Sequence, residues 1–122
     1  MSDGPRRLGA RGEAVAAQAL ERVGVRIVAR NARTRYGEID LIGRDDRGWV
    51  FVEVKTGRRG SFVDAREAVS AKKLARVFSL SLAWAQEHRA RGPMRVLVAA
   101  VTVDGADASV DLIDVADGPG GG

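Results

Sequence analysis

Two short apolar segments separated by a polar turn constrain the fold of this chain more than any other feature. Residues Tyr36–Gly43 and Gly48–Lys55 are rich in Ile, Val, Phe and Trp, a composition that favours β-strands. The segment between them, Arg44–Arg47, contains two aspartates and is followed directly by a glycine. These residue types are typical of tight turns. The sequence therefore predicts an antiparallel hairpin in the middle of the chain.

The rest of the chain adds two helices and three strands to this hairpin. Apolar residues at helical spacing predict a helix before it, ended by Gly24, and a longer helix after it. The further predicted elements are helix Pro5–Val23, strand Val25–Asn31, loop Thr56–Ser61, helix Asp64–Ala90, strand Met94–Val103 buried on both faces, and edge strand Ser109–Val115. This order predicts an α/β fold, a mixed sheet flanked by helices, within a single domain over residues 1–116. The Gly-rich end, Asp117–Gly122, is expected to be a flexible tail.

Composition excludes several classes of site. The chain has no Cys, so it forms no disulfide and no zinc ribbon, and its single histidine rules out a His-cluster metal site. That residue, His88, is interpreted as a solvated residue at a helix end. The net charge of +4 favours a polyanionic partner, although an Arg-rich composition also arises in high-GC genomes. No apolar run is long enough for a membrane span or a signal peptide, so the expected location is the cytoplasm.

Acidic side chains interrupt both strands of the hairpin. Because alternate residues of a strand share a face, Glu38, Asp40 and Ile42 are expected on one face, with Ile39 and Leu41 on the other. Each strand is apolar on both sides until its acidic residues appear. Neither face is therefore a simple solvated surface.

The turn also predicts which residues face each other. A turn centred on residues 46 and 47 places Asp40 opposite Glu53 and Glu38 opposite Lys55. Two carboxylates directly opposite each other are destabilising, and a divalent cation with oxygen ligands, typically Mg²⁺, would offset the repulsion. Lys55 would then activate a water or stabilise charge on a phosphoryl oxygen. The alternative is a surface hairpin whose Glu and Lys side chains form cross-strand ion pairs.

The roles of five further residues stay open at this point. Glu13 falls on the apolar stripe of the first helix, where it either borders the stripe or reaches the site as a metal ligand through water. Lys73, on the apolar face of the second helix, either extends to solvent or contacts a substrate phosphate. Arg76 is a weaker candidate for the same contact. Arg58 and Arg59 follow Lys55 directly, and they suit either phosphate contacts or a solvated loop.

The paired segments Gly37–Ile42 and Val50–Lys55 resemble the YraN-like family of small bacterial proteins. That family is related to the archaeal Holliday junction resolvases and belongs to the restriction-endonuclease-like, or PD-(D/E)xK, superfamily. The resemblance covers Leu8–Val103, and the two strand segments are its most specific part. It also includes Gly9–Ala17, Asn31, Ala68–Ser70 and Lys73.

The resemblance implies a restriction-endonuclease-like fold and Mg²⁺-dependent hydrolysis of phosphodiester bonds. It places the first acid of the family motif at Asp40, the second acid at Glu53 and the lysine at Lys55. The glutamate that the resolvases carry on a helix corresponds to Glu13. One departure is that the family's usual Arg-Phe-Asp after the second helix reads Arg95–Leu97 (Arg-Val-Leu) here, so the role of that aspartate is not available.

These observations favour an endonuclease that uses Mg²⁺, with Mn²⁺ as a substitute, and acts on DNA, including branched or single-stranded DNA. Asp40 and Glu53 would hold the metal together with the Val54 carbonyl, Lys55 would position the attacking water, and Glu13 would act through a metal-bound water. Two alternatives stay open: a nucleic-acid-binding module without turnover, and a protein-interaction module with a vestigial site. RNA as the substrate and a homodimeric state also stay open.

Overall fold

The computed structural model describes residues 4–60 and 71–115, which form one five-stranded sheet with a helix packed on each face. The elements are α1 (Pro5–Arg22), β1 (Arg26–Thr34), β2 (Gly37–Asp45), β3 (Gly48–Arg58), α2 (Ala71–Glu87), β4 (Met94–Asp104) and β5 (Asp107–Asp114). The order of helices and strands, α-β-β-β-α-β-β, confirms the predicted α/β architecture.

The sheet is mixed, and its strands are ordered β1-β2-β3-β4-β5. Neighbouring strands are antiparallel except β3 and β4, which are parallel. A parallel pair needs a long crossover, and the connection from β3 to β4 contains α2. The predicted hairpin of β2 and β3 is confirmed, as are the edge position of the last strand and the burial of β4, whose residues 96–101 are all buried.

Two strands end three residues later than predicted. The loop expected from Thr56 begins later, because β3 continues to Arg58 by pairing with residues 101–103 of β4. The first strand does not end at Asn31 but extends to Thr34, since it keeps pairing with β2 as far as Gly37. Tertiary pairing thus extends both strands through residues that have no alternating apolar pattern of their own.

Several sequence predictions fall outside the described residues. These are the helix start at Asp64, the Ala68–Ser70 segment and the tail Asp117–Gly122. The second helix is described from Ala71 and ends at Glu87, before the predicted end at Ala90. Neither described helix is long and apolar enough to cross a membrane.

Among the described residues, the core consists of two apolar clusters, one on each face of the sheet. On the α1 face, Ala16, Ala17 and Leu20 of the helix pack against Leu41, Val50, Val52, Leu97, Ala99, Val101 and Val103. On the α2 face, Val77, Leu80 and Trp84 pack against Ile39, Ile42, Phe51 and Val96. Helix α1 ends at Arg22, and Gly24 then takes a left-handed φ of +92°, as predicted for a helix-ending glycine.

Gly12 lets α1 approach β3 closely. A Cβ atom at this position would lie 1.8 Å from Thr56 Oγ1 and 2.8 Å from Thr56 Cβ, far inside van der Waals contact. The next residue on the helix is Glu13. The absence of a side chain at Gly12 therefore sets how near the Glu13 carboxylate comes to the sheet.

We expect Gly12→Ala to lower the free energy of unfolding by about 1–3 kcal/mol, the usual cost of overpacking. The matched control is Gly9→Ala on the same helix, where an added Cβ has no atom within 4 Å. Because Ala favours helix over Gly, that control should be neutral or stabilising by up to about 1 kcal/mol. Urea denaturation measures both, and equal effects of the two substitutions would contradict the close approach at Gly12.

An ion pair links the hairpin turn to the start of β4. The Arg95 guanidinium donates to the Asp45 carboxylate, and the two side chains are only 14% and 15% exposed. Burial raises the pKa of Asp45, but hydrogen bonds from Arg95 and from the Arg47 N–H outweigh it and hold the pKa below its usual value. The ion pair therefore links the turn end of the hairpin to β4, whereas Asp40 and Glu53 lie at the other end of the hairpin.

Candidate active site

The acidic residues of the hairpin lie where β2 and β3 separate. The predicted register is confirmed from Asp45 opposite Gly48 to Leu41 opposite Val52, and the ladder ends there. The predicted pairing of Asp40 with Glu53 and of Glu38 with Lys55 is therefore not part of the ladder. Instead, the Val54 N–H donates to Asp40 Oδ2 at 2.8 Å, so a side chain takes the place of a backbone partner.

The expected grouping of faces on β2 was wrong. Ile39 packs with Ile42 in the α2 cluster, whereas Leu41 packs in the α1 cluster, so simple alternation fails at Asp40. The neighbouring strand is irregular at the same point. Pairing of β1 with β2 passes from Arg30–Leu41 directly to Ala32–Ile39, and the skipped residue of β1, Asn31, has a left-handed φ of 49°. This irregularity allows Asp40 to face the gap between β2 and β3.

On β3, by contrast, the expected alternation is confirmed. Trp49 and Phe51 pack in the α2 cluster, and Val50, Val52 and Val54 pack in or against the α1 cluster. Continued alternation places Glu53 and Lys55 on the α2 face. Lys73 of α2 lies there as well, with its Nζ 3.5 Å from Glu53 Oε1.

Three polar residues meet near Asp40 from the α1 side. With its amide nitrogen turned towards the carboxylates, Asn31 donates to Glu38 Oε1 at 3.0 Å and to Glu13 Oε1 at 3.1 Å. Glu13 is half-buried and thus turned towards the sheet rather than to open solvent. Sequence reasoning assigned no role to Asn31. The available signal was an Asn, a residue depleted in strands, at the end of a predicted strand in the matching region.

Asp40 is the most perturbed acid of the described chain. Its pKa is raised from 3.8 to about 6, mainly by burial; the hydrogen bond from Val54 lowers the pKa, and the negative charges of Glu53, Glu13 and Glu38 raise it further. Three carboxylates, one each from α1, β2 and β3, therefore act electrostatically on Asp40. Lys73 partly compensates the Glu53 carboxylate through its 3.5 Å contact.

The donor atoms of this site suit a hard divalent cation. Within residues 4–60 and 71–115, no group of three or more Asp, Glu, His or Cys side chains is arranged to hold a metal ion by itself. Mg²⁺, however, usually keeps several waters and takes only one or two carboxylates. One oxygen of Asp40 accepts the Val54 N–H, which leaves the other for a cation. A two-carboxylate site completed by water and a backbone carbonyl fits these residues.

The arginines singled out from the sequence lie around this site in different settings. Arg58 and Arg59 are exposed at the end of β3, and Arg59 Nη1 donates to Asp104 Oδ2 at 2.9 Å. Arg76 is exposed on α2 and reaches the start of β2, where its Nη2 lies 3.4 Å from the position of a Cβ built on Gly37. At the far end of α2, His88 is exposed and stacks on Trp84, which agrees with its predicted solvated position.

The missing aspartate of the family pattern also has a structural context. Its position is occupied by Leu97, which is only 9% exposed and packs in the α1 cluster. The neighbouring Val96 is buried on the α2 face. An acid at residue 97 would lose hydration in this core, so the apolar residue suits the packing observed here.

Comparison with known proteins places these features in a family. A "UPF0102 protein" of Arthrobacter sp. is 47% identical over 100 residues, which cover 81% of this chain and 85% of that protein. A "UPF0102 protein" of Thermotoga petrophila is 39% identical over 95 residues, covering 78% and 86%.

The crystal structure of a repair endonuclease from Pyrococcus abyssi has a similar fold, with a TM-score of 0.50 and 16% sequence identity. The match covers 87% of this chain but only 42% of that endonuclease, so the chain spans less than half of its length. The similarity confirms the predicted restriction-endonuclease-like fold. The family described as Uncharacterised protein family UPF0102 matches residues 12–114, and this chain belongs to that family.

Proposed function

We propose that this protein is a Mg²⁺-dependent endonuclease that hydrolyses phosphodiester bonds in DNA, with Mn²⁺ as an alternative cation. The observation that carries the proposal is the Asp40 carboxylate, held by the Val54 N–H in the gap between β2 and β3 and surrounded by other carboxylates. Such a concentration of negative charge in a partly buried position is destabilising unless a cation joins it. The similar fold of a repair endonuclease supports the proposed endonuclease function.

Asp40, Glu53 and the Val54 carbonyl would hold the cation. In an extended strand the N–H and C=O of one residue point towards the same neighbouring strand. Because the Val54 N–H reaches Asp40, its carbonyl faces the same gap. A bound Mg²⁺ would supply an activated water and offset charge on the phosphoryl group. Glu13 would bind through water from the α1 side.

Lys55 would orient the attacking water and stabilise negative charge that develops on the phosphoryl oxygens. It follows Glu53 by two residues on the same face of β3 and is half-buried. Lys73 would shift from Glu53 to a substrate phosphate when a cation compensates that carboxylate. Both ammonium groups lie on the α2 side of the gap, so the DNA backbone is proposed to approach from this side.

A cleavage screen tests the proposal directly. Duplex, single-stranded, flap and four-way DNA, and matched RNA strands, are incubated with the protein in Mg²⁺, Mn²⁺ or EDTA. We expect cleavage of at least one DNA structure in either metal and none in EDTA. Absence of cleavage on every substrate in both metals, by protein shown to be folded, would reject the endonuclease assignment.

A second candidate function is a binding module with a vestigial site. It is favoured by the Lys73–Glu53 ion pair, which partly compensates the acidic site without a metal, and by the exposed side chains of Phe78 and Leu82 on α2. Such apolar exposure suits a protein contact, including a homodimer. DNA or protein binding that is unchanged by metal, with no cleavage, would support this candidate over the enzyme.

DNA binding should depend strongly on salt and should be led by Arg58, Arg59 and Lys73. Each phosphate contact contributes a slope of about −0.9 in log K against log salt on duplex DNA. We therefore expect the double substitution of Arg58 and Arg59 by Ala to flatten this slope by up to about two units, as measured by fluorescence anisotropy. The matched control removes the same charge at Arg89 and Arg91, near the start of β4. An equal change in both double variants would show that the effect is net charge rather than contact.

A further inference from the structure

Asn31 joins carboxylates that come from different elements of the fold. Its amide faces carboxylate oxygens, so the amide is assigned with its nitrogen towards them. In this orientation it donates to Glu38 Oε1 on β2 at 3.0 Å and to Glu13 Oε1 on α1 at 3.1 Å, with Glu13 Oε2 at 3.3 Å. Both glutamates act electrostatically on Asp40. One neutral side chain therefore connects the helix, the edge strand and the strand that carries the central acid.

We propose that Asn31 is a positioning residue of the candidate site, which fixes the carboxylates of Glu13 and Glu38 beside Asp40. This inference rests on the proposed function, because the position of these carboxylates has a chemical consequence only if a cation binds there. Asn31 does not itself contact the reacting atoms in this proposal. It acts through the two glutamates.

The backbone at Asn31 explains why the side chain points towards the glutamates. Its φ of 49° lies in the left-handed region, which Asn adopts more readily than most residues other than Gly. At the same point the pairing of β1 with β2 skips Asn31 and Asp40. The irregularity that allows Asp40 to face the strand gap thus also releases Asn31 from the ladder.

The chemistry of the amide suits this role better than a charged group would. Two carboxylates brought together repel each other, and a shared donor offsets part of that repulsion. A Lys or Arg would also neutralise them and so compete with a cation. An Asp would add a further negative charge and remove the donor. Only a neutral donor that tolerates a left-handed backbone orders both carboxylates and leaves their charge for the metal.

Two substitutions distinguish the effect of the Asn31 side chain from the effect of its backbone conformation. Asn31→Gly keeps the left-handed φ without strain but removes the donor, whereas Asn31→His tolerates this φ and retains a ring N–H. Binding of Mn²⁺ alone is measured by calorimetry, kcat and KM are measured on a DNA substrate cleaved by the wild type, and stability is measured by urea denaturation in EDTA.

We expect Asn31→Gly to weaken Mn²⁺ binding and to lower kcat by about 10–100-fold each, the usual effect of losing a residue that orients metal ligands. KM for DNA should change little, and the urea midpoint should fall only slightly, by the repulsion that the amide had offset. Asn31→His should recover part of the losses in Mn²⁺ affinity and kcat. A purely structural role would lower the urea midpoint and leave metal affinity unchanged.

Unchanged Mn²⁺ affinity and kcat in Asn31→Gly, with an active wild type, would overturn the inference and leave the endonuclease proposal intact. If the wild type binds Mn²⁺ but cleaves no DNA, the endonuclease proposal fails, and the comparison of affinities still decides the role of Asn31. A wild type that binds no Mn²⁺ would overturn both proposals.

Discussion

Asp40→Asn and Glu53→Gln should each reduce metal-dependent DNA cleavage by at least about 100-fold, beyond the 10–100-fold loss that follows removal of a group that only orients a metal ligand. Each substitution removes a charged oxygen ligand with almost no change in volume. At residue 40 the fold should survive, because an Asn side chain still offers an oxygen to the Val54 N–H, as Asp40 does at 2.8 Å. Cleavage rates at saturating Mg²⁺ measure the effect.

A matched control shows whether charge alone matters. Glu21→Gln removes one carboxylate at an exposed position of α1 and should cleave at the wild-type rate.

Lys55→Ala should keep metal affinity but lose turnover, since Lys55 is proposed to act on the water and the phosphate rather than on the metal. Wild-type cleavage by either acid variant would show that the catalytic centre lies elsewhere. Lost metal affinity with preserved turnover in Lys55→Ala would contradict its proposed role.

The hairpin could be predicted from the sequence because local rules decide it. The turn at Asp45–Gly48 sets the register, and the alternation of Phe51 and Val52 between two apolar clusters fixes the faces of β3. These rules apply as long as a strand keeps one partner on each side. Up to Leu41 and Val52 the hairpin meets that condition.

The arrangement at Asp40 could not be predicted in the same way. After Val52, β3 leaves β2 while it stays paired with β4 as far as Arg58. The twist and packing of the whole sheet decide whether β3 stays paired with β2 or with β4. No local pattern in the sequence of β3 indicates the outcome. The sequence therefore predicted the proximity of Asp40 and Glu53 but not the side-chain contact with Val54.

Contacts between distant elements were also beyond sequence reasoning. Lys73 has a helical position that suits either solvent or substrate, and only the packing of α2 on the sheet brings it 3.5 Å from Glu53. Asn31 matched the family resemblance but offered no chemical role. Its left-handed backbone and the close approach of α1 at Gly12 together create its contacts with the glutamates.

Asp40 should also make the stability of the metal-free protein depend on pH. Its pKa is about 6 in the folded protein against 3.8 as its ordinary value. Between these values the folded state holds a proton that the unfolded chain has lost, so the free energy of unfolding falls as pH rises from about 4 to about 6 and then levels off. At 1.36 kcal/mol per pKa unit the loss is at most about 3 kcal/mol, reduced by the partial exposure of the site.

Asp40→Asn lacks this titration, so in EDTA it should be as stable as the wild type near pH 4 and more stable above pH 6. Mg²⁺ at a hundredfold excess over Kd should stabilise the wild type by about 2.7 kcal/mol at pH 7, while the variant responds much less because it has lost a charged ligand. Urea denaturation of both proteins at several pH values, with EDTA and with Mg²⁺, measures these differences, and titrating groups that do not interact with Asp40 cancel in the comparison. Parallel pH profiles in EDTA would show that Asp40 is not perturbed, and equal responses to Mg²⁺ would place the cation elsewhere. A variant that is much less stable at every pH would instead make the Asp40 carboxylate a structural group whose hydrogen bond to Val54 an Asn cannot replace.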